Sequence, residues 1–230
     1  MKTAASTGGI GDIVYSIPVM RKLGVNKIFI KQNFYPEPYG DMCSSMSRLL
    51  STQYIEAIPT LGGLPFFEYE SGLKFDYDLD RFRYHGTRGR MHIIKSMSLA
   101  CRVGFQDWNR PFIQNIPVSC GGYNVVHLTE RWREGSVVRW ENVLQRIPKP
   151  VYFAGLPQDY KIFCERYGKI EWEQTIDILD LALLIADADA LYCNQGVALT
   201  LAQGLGKQYY CDFKPTKTNT RFYTSNEHCL

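Results

Sequence analysis

The chain of 230 residues has no long hydrophobic run. Its longest uninterrupted apolar stretch extends only from Leu181 to Ala186, whereas a membrane-spanning helix requires roughly 20 apolar residues. The residues between Met1 and the glycine cluster at 8–11 include no apolar leader segment, which argues against a secretory signal. We therefore expect no membrane span and a cytoplasmic location.

Cysteines and histidines are present but lack the spacing of metal sites. The seven cysteines form no C-x-x-C pair, and the four histidines form neither H-x-x-x-H nor H-E-x-x-H. These patterns predict reduced thiols and no zinc site. An excess of one charge is also missing, because the formal net charge is only +3. The sequence therefore predicts a soluble globular protein that is not a dedicated polyanion binder and has no metal or organic cofactor.

Short strand-like runs alternate with amphipathic stretches along most of the chain. This alternation is typical of βαβ units and predicts an α/β fold with parallel sheets. The predicted strands are 3–6, 27–31, 54–58, 75–82, 124–128, 151–154, 190–193 and 208–211. The predicted helices are 12–23, 40–50, 90–103, 138–146, 158–167, 176–186 and 197–204.

The alternation is interrupted at 108–122, where two prolines and two adjacent glycines occur without a clear period. A break of this kind indicates a domain boundary. We therefore expect two Rossmann-like domains, residues 1–118 and residues 119–230.

A glycine loop follows the first predicted strand, with Gly8, Gly9 and Gly11 preceding Asp12. Free backbone N–H groups and the helix dipole favour a phosphate at such a position. The loop is neither a Walker A motif nor G-x-G-x-x-G, and a tight strand-to-helix turn also explains its glycines. Asp12 suits two compatible roles, as the N-cap of the next helix or as a general base at the sheet edge.

A second loop, Asn194-Gln195-Gly196, follows a short apolar strand and precedes a helix of small residues. It predicts polar side chains and amide donors at the mouth of the second sheet. An ordinary capped turn is the alternative interpretation.

Both loops resemble motifs of one family. Residues 9–23, G-I-G-D-I-V-Y-S-I-P-V-M-R-K-L, resemble the amino-terminal motif of glycosyltransferase family 9, the ADP-heptose lipopolysaccharide heptosyltransferases. Residues 194–207 are similar in length and pattern to that family's N-D-T-G-P-x-H-L-A-A-A-L-G-K motif. The segments 75–80 and 125–155 extend the resemblance over most of the chain.

The resemblance implies a GT-B architecture, with two Rossmann-like domains that face an interdomain cleft. It implies metal-independent, inverting transfer from a nucleotide-diphosphate sugar in the carboxyl-terminal domain to an acceptor hydroxyl in the amino-terminal domain. Asp12 would be the catalytic base. The implied donor-binding residues are Gly8, Gly9, Gly11, Arg131, Arg133, Gly155, Asn194, Gln195, Gly196, Val197 and Thr200.

The chain departs from the family motif at three of these positions. Gln195 and Gly196 stand where the family has Asp and Thr, and Thr200 stands at the family's His. Gln and Thr can hydrogen-bond a ribose or a phosphate, but neither carries charge. The alternative hypothesis is a catalytically degenerate GT-B-like protein that binds or sequesters a nucleotide or nucleotide sugar.

Three groups of charged residues allow two interpretations each, one functional and one structural. Arg131 and Arg133 suit a diphosphate, because a guanidinium bridges two phosphate oxygens, or they belong to a solvated loop. The triplet Asp76, Asp78 and Asp80 would put three carboxylates on one strand face. That arrangement suggests a Mn²⁺ or Mg²⁺ site, but the family resemblance already explains the segment as a structural strand.

The third group is a basic and aromatic cluster in the amino-terminal half. Residues 1–118 carry 14 basic and 10 acidic side chains, and we expect Arg83, Arg88 and Arg90 to bind the acceptor. A glycan or a phosphorylated acceptor fits such a patch, as does nucleic acid with a modified base. A solvated basic face is the alternative.

Overall fold

A computed structural model describes residues 1–31, 40–60, 74–84, 91–104, 107–130, 136–214 and 219–230. Within these residues, helices alternate with the strands of two sheets, and every strand pair in both sheets is parallel. The predicted α/β class with parallel sheets is confirmed. None of the helices in these ranges is long and apolar enough to cross a bilayer.

The first sheet has four strands in the order β3-β2-β1-β4. The strands are β1 (Lys2–Ser6), β2 (Val25–Lys31), β3 (Glu56–Thr60) and β4 (Tyr77–Asp78). The helices of this half are α1 (Ile10–Leu23), α2 (Met42–Thr52) and α3 (Ile93–Ala100). Helix α1 ends at Gly24, whose φ of 73° is the left-handed conformation that glycine adopts at little cost.

The second sheet has six strands in the order β10-β9-β8-β5-β6-β7. The strands are β5 (Asn124–His127), β6 (Val151–Ala154), β7 (Glu171–Glu173), β8 (Ala190–Asn194), β9 (Tyr209–Asp212) and β10 (Glu227–Cys229). The helices are α4 (Trp140–Leu144), α5 (Pro157–Tyr167), α6 (Ile178–Asp187) and α7 (Val197–Leu205). Strands β5 and β8 are fully buried, as the central strands of a sheet covered on both faces should be.

Helices from the two halves pack directly against each other. Helix α1 packs on α7, and α2 packs on α6. One cluster of buried side chains runs through this contact, from Ile13 and Ile17 on α1 to Ala198 and Leu201 on α7. Arg48 on α2 adds an ion pair to Asp177, the N-cap residue of α6. The helices that follow β1 and β8 are therefore held together by apolar burial.

Several element predictions were wrong in detail. The strand predicted at 75–82 comprises only Tyr77–Asp78, because the chain turns at once into a 3₁₀ helix, Leu79–Tyr84. Strands β7 and β10 were missed, since three residues are too short for a visible alternation. The irregular segment at 108–122 contains neither helix nor strand, as expected. The domain division at residue 118 stays a prediction.

Candidate active site

The candidate residues lie where the strand order of each sheet changes direction. In the first sheet β1 lies between β2 and β4, and in the second sheet β5 and β8 are neighbours from which the chain continues outward on either side. Open α/β sheets bind their ligands at the carboxyl ends of such strands. Loop 7–9 follows β1, and loop 195–196 follows β8. Both predicted loops therefore occupy the edge where a ligand is expected.

The glycine loop allows Asp12 to fold back over it. Gly9, rather than Asp12, is the N-cap of α1, so the N-cap prediction was wrong. Asp12 is the third helical residue, and its Oδ2 accepts a hydrogen bond of 3.3 Å from Gly9 N. A Cβ atom at Gly8 would lie 2.8 Å from Asp12 Cβ and 3.0 Å from Arg83 Nη2. A side chain at position 8 would therefore displace the carboxylate or its partner.

Asp12 forms an ion pair with Arg83, which in turn contacts Asp80. Arg83 Nη2 donates to Asp12 Oδ2, and Arg83 Nε lies 3.3 Å from Asp80 Oδ1. Burial alone lowers the pKa of the Arg83 guanidinium, but the charges of Asp12 and Asp80 outweigh it and raise that pKa. Arg83 is thus a permanent cation that bridges two carboxylates at the end of the first sheet.

Asp80 is almost completely buried, with 1% of its side chain exposed. It accepts hydrogen bonds from the Thr7 backbone N–H, from Thr7 Oγ1 at 3.0 Å and from Ser6 Oγ at 3.3 Å. These partners satisfy a carboxylate that burial would otherwise penalise. The sequence pattern suggested Asp80 as a strand residue or a metal ligand and did not reveal this role. Its position just after β4, beside the end of β1, was the signal that could have revealed it.

The carboxylates of Asp76, Asp78 and Asp80 bond to different partners and do not form one group. Asp76 accepts hydrogen bonds from Thr3 N at 2.7 Å and from Thr3 Oγ1. Asp78 Oδ1 accepts from Asp80 N at 2.9 Å, and burial raises the pKa of Asp78. Because Asp80 belongs to the 3₁₀ helix, the three carboxylates do not line one strand face, contrary to the metal-site alternative. Among the described residues, no group of three metal-ligating side chains occurs.

The amino termini of α1 and α7 meet at Gly11. A Cβ atom there would lie 3.3 Å from Thr200 Oγ1 and 4.0 Å from Val197 Cα. Thr200 Oγ1 donates to Gly196 O at 3.2 Å, within the first turn of α7. The first N–H groups of a helix have no acceptor within the helix. The amino-terminal N–H groups of one helix from each half therefore lie close to each other.

Asn194 connects the ends of β8 and β5. Its side chain is fully buried, its Nδ2 donates to Thr129 O at 2.7 Å, and its Oδ1 accepts from Thr129 N at 3.1 Å. The side chain thus replaces backbone pairing just beyond the point where the two strands separate. Thr129 was missed from the sequence, although its place directly after a buried strand could have indicated it.

Gln195 is likewise engaged within the protein. Its Nε2 donates to Thr220 Oγ1 at 2.9 Å, and its Oε1 accepts from Lys214 N at 3.0 Å. The amide therefore holds the carboxyl-terminal segment against the loop that precedes α7. The structure gives both polar side chains of this loop a role in shaping it.

A third edge position is formed by Gly155 and His127. Gly155 has a φ of 154°, and a Cβ atom there would lie 3.0 Å from Phe153 Cε1 and 3.9 Å from His127 Cδ2. His127 ends β5, and burial lowers its pKa to about 4. Its Nδ1 has no hydrogen-bond partner among the described residues. His127 was not predicted from the sequence, because no second histidine stands at a metal-binding spacing from it.

Asp159 lies on the first turn of α5, directly after the Gly155 turn. Burial raises its pKa to about 6, and the nearby charge of Glu130 acts in the same direction. The predicted donor residues Arg131 and Arg133 lie outside the described residues. The predicted acceptor residues Arg88 and Arg90 also lie outside them.

The comparisons with known proteins rest on structure alone. No protein-family model matches the chain, and no curated protein sequence matches it. The chain shares its fold with E. coli heptosyltransferase WaaC in complex with ADP, with a TM-score of 0.62 and 14% identity over 100% of this chain and 93% of that one. This likeness defines the class of fold, a glycosyltransferase-like arrangement of two parallel sheets.

Two further solved structures share the same fold. A family 9 glycosyl transferase from Veillonella parvula has a TM-score of 0.60 and 12% identity, over 99% of this chain and 84% of that one. E. coli ADP-heptose lipopolysaccharide heptosyltransferase II has a TM-score of 0.52 and 13% identity, over 100% and 90%. The fold expected from the motifs at 9–23 and 194–207 is therefore confirmed.

Proposed function

We propose that the protein is a glycosyltransferase that moves a sugar from a nucleotide diphosphate to an acceptor hydroxyl with inversion. The observation that carries this proposal is the position of Asp12 in the first turn of α1, next in the chain to Gly11, which lies beside the amino terminus of α7. One half thereby supplies a carboxylate, and the other half supplies the backbone N–H groups of a helix amino terminus, which favour an anion.

The proposed reaction uses these groups in a single displacement. Asp12 takes the proton of the acceptor hydroxyl, whose oxygen forms a bond to the anomeric carbon of the sugar. The bond between that carbon and the phosphate oxygen breaks, and the nucleoside diphosphate leaves. The backbone N–H groups at the start of α7 stabilise the negative charge that develops on it. Asn194 and Gln195 support this step by shaping the loop that precedes the helix.

The donor is proposed from the structural neighbours, two of which are described as complexes with ADP or an ADP-heptose analogue. ADP and ADP-heptose are therefore the first probes, followed by the UDP, GDP, CDP and dTDP series. A ligand at about 100 times its dissociation constant should raise the melting temperature of a chain this size by about 5–10 °C. If no nucleotide or nucleotide sugar in the panel raises the melting temperature, the proposal that the protein binds such a donor is contradicted.

Asp12→Asn tests the chemistry. The variant should bind the donor found in the panel with unchanged affinity, but it should no longer release nucleoside diphosphate from the corresponding nucleotide sugar. Asp107→Asn is the matched control, because Asp107 forms an exposed ion pair with Arg110 far along the chain from the site. Wild-type turnover in Asp12→Asn would remove Asp12 from the mechanism.

The second candidate is a GT-B-like protein that binds a nucleotide sugar without chemistry. Two observations favour it: neutral Gln195 and Thr200 stand at charged positions of the family motif, and the amide of Gln195 bonds to protein groups. Tight donor binding by the wild type without release of nucleoside diphosphate would select this candidate.

A further inference from the structure

The two oxygens of the Asp12 carboxylate have different surroundings. Oδ2 accepts hydrogen bonds from Arg83 Nη2 and from Gly9 N. Within the part of the chain that the structure describes, no hydrogen bond reaches Oδ1. The side chain keeps 21% of its surface exposed, so the carboxylate remains accessible. Its orientation is therefore set from one side, by contacts to a single oxygen.

The group that sets this orientation is itself held rigidly. Arg83 Nε is paired with Asp80, which is buried and bonded to Ser6 and Thr7 at the end of β1. The guanidinium is planar and presents its N–H donors in a fixed fork. A path of hydrogen bonds thus leads from the first sheet through Asp80 and Arg83 to Asp12. This path of hydrogen bonds fixes the direction of the Asp12 carboxylate.

We propose that Arg83 is a positioning residue, which holds Asp12 Oδ2 so that Oδ1 is the oxygen that receives the acceptor proton. This inference rests on the proposed function and extends it. A general base must lie within hydrogen-bonding reach of the proton that it removes, and rotation of the carboxylate would destroy that alignment. Arg83 therefore acts on the base, whereas the sequence assigned it to the acceptor.

The first test requires no substrate. A crystal structure of Arg83→Gln should show Asp12 in more than one orientation, or without its contact to Gly9 N, whereas the wild type shows one orientation. Arg83→Lys retains a cation that can donate to Asp12 but lacks the planar fork, so it should restore the wild-type orientation in part. The matched control is Arg110→Gln, since Arg110 forms an exposed pair with Asp107. An unchanged Asp12 in Arg83→Gln would overturn the positioning role, whether or not the protein is an enzyme.

The second test is kinetic and uses the nucleotide sugar found in the panel. Displacement of a catalytic group by about 1 Å lowers turnover by about 100-fold, and we expect a loss of this order in kcat for Arg83→Gln. The KM for the donor should stay within about twofold of the wild type, because such a loss concerns orientation rather than binding. The kcat of Arg83→Lys should exceed that of Arg83→Gln by at least about tenfold, because lysine restores a cation beside Asp12.

A double variant separates positioning from binding. If Arg83 acts through Asp12, the double variant Asp12→Asn, Arg83→Gln should be no slower than Asp12→Asn alone. If Arg83 binds the acceptor, the two losses should multiply and the KM for the acceptor should rise in Arg83→Gln. That result would overturn the inference and leave Asp12 as the base. Full activity of Asp12→Asn would instead remove Asp12 from the mechanism. A wild type that neither binds nor turns over any donor of the panel would overturn the proposed function, a failure that the crystallographic test does not share.

Discussion

The hydroxyl of Tyr15 donates a hydrogen bond of 2.6 Å to Gln203 Oε1. Tyr15 lies on α1 and Gln203 on α7, and both side chains are buried. Gln203 Nε2 donates in turn to Thr220 O at 2.7 Å and to the Tyr209 hydroxyl at 3.2 Å. This bond joins the two helices whose amino termini form the candidate site, so it adds a directional contact to the apolar packing between them.

Replacement of Tyr15 by Phe should destabilise the protein. The substitution leaves Gln203 Oε1 buried without its donor, which costs about 1–3 kcal/mol. At about 2–4 °C per kcal/mol for a chain of this size, the melting temperature should fall measurably. Tyr54→Phe is the control, because Tyr54 is 80% exposed and should melt with the wild type. Equal melting of Tyr15→Phe and Tyr54→Phe would show that the bond contributes nothing.

Gly8→Ala should impair turnover more than donor binding. The new Cβ atom would approach Asp12 Cβ to 2.8 Å, so Asp12 or Arg83 must move. If Asp12 is the base, as proposed, a loss of about 100-fold in kcat is expected. Gly104→Ala is the matched control, since a Cβ atom there meets nothing within 4 Å. The measurement is release of nucleoside diphosphate from the donor found in the panel. Retained kcat in Gly8→Ala would contradict the close approach.

Asn194→Asp should destabilise the loop between β8 and α7. The Nδ2 atom that donates to Thr129 O at 2.7 Å would become an oxygen, and a buried carboxylate would face a carbonyl. The expected cost is about 3 kcal/mol at pH 7. This destabilisation should be smaller at about pH 4, where a protonated carboxyl can donate to Thr129 O. Denaturant unfolding measures the free energy of unfolding at each pH, with exposed Asn142→Asp as the control. An equal destabilisation at the two pH values would argue that the lost donor to Thr129 O is not its cause.

Acidification should weaken the fold through its buried histidines. Burial lowers the pKa of His92 from 6.5 to about 3, and that of His127 to about 4. Below about pH 6.5 the unfolded chain binds protons that the folded protein does not, so stability is complete above that pH and declines as the pH falls. Urea unfolding between about pH 7.5 and about pH 4.5 should show this decline.

The variant His92→Asn isolates the contribution of His92 to this pH dependence of stability. His92 Nδ1 accepts a hydrogen bond from Ile94 N as the N-cap of α3, and asparagine can replace that acceptor. The variant should show a shallower dependence of stability on pH than the wild type, although the smaller side chain lowers its stability at neutral pH. Partly exposed His228→Gln serves as the control. An identical slope in His92→Asn would show that His92 does not resist protonation.

Sequence patterns predicted most elements because the apolar residues of α1, α6 and α7 follow helical spacing and those of β5, β6 and β8 form short buried runs. The short strands β7 and β10 were invisible, because three residues do not establish a period. The segment after Tyr77 was misjudged as a continuing strand. Its alternating carboxylates suggested a strand face, whereas Asp80 bonds back to loop residues at the end of β1.

The candidate site was only partly predictable. Both loops were found from their glycines and polar residues, since strand-to-helix turns at a sheet edge require them. The partners of the side chains in those loops were not found. Asp12 pairs with Arg83, and Asn194 pairs with Thr129, across long separations in the chain. A local pattern contains no information about which distant residue fills the space beside it.

The sequence by itself determined the α/β class, the order of its major elements and the place of both loops at strand ends, because periodicity and turn chemistry act over a few residues. Only the tertiary structure decided that α1 packs on α7, that Gly9 caps α1 and that Arg83 pairs with both Asp12 and Asp80. Those outcomes depend on the burial of apolar surface between the halves and on the pairing of buried charges. Both are properties of the assembled chain rather than of any one segment.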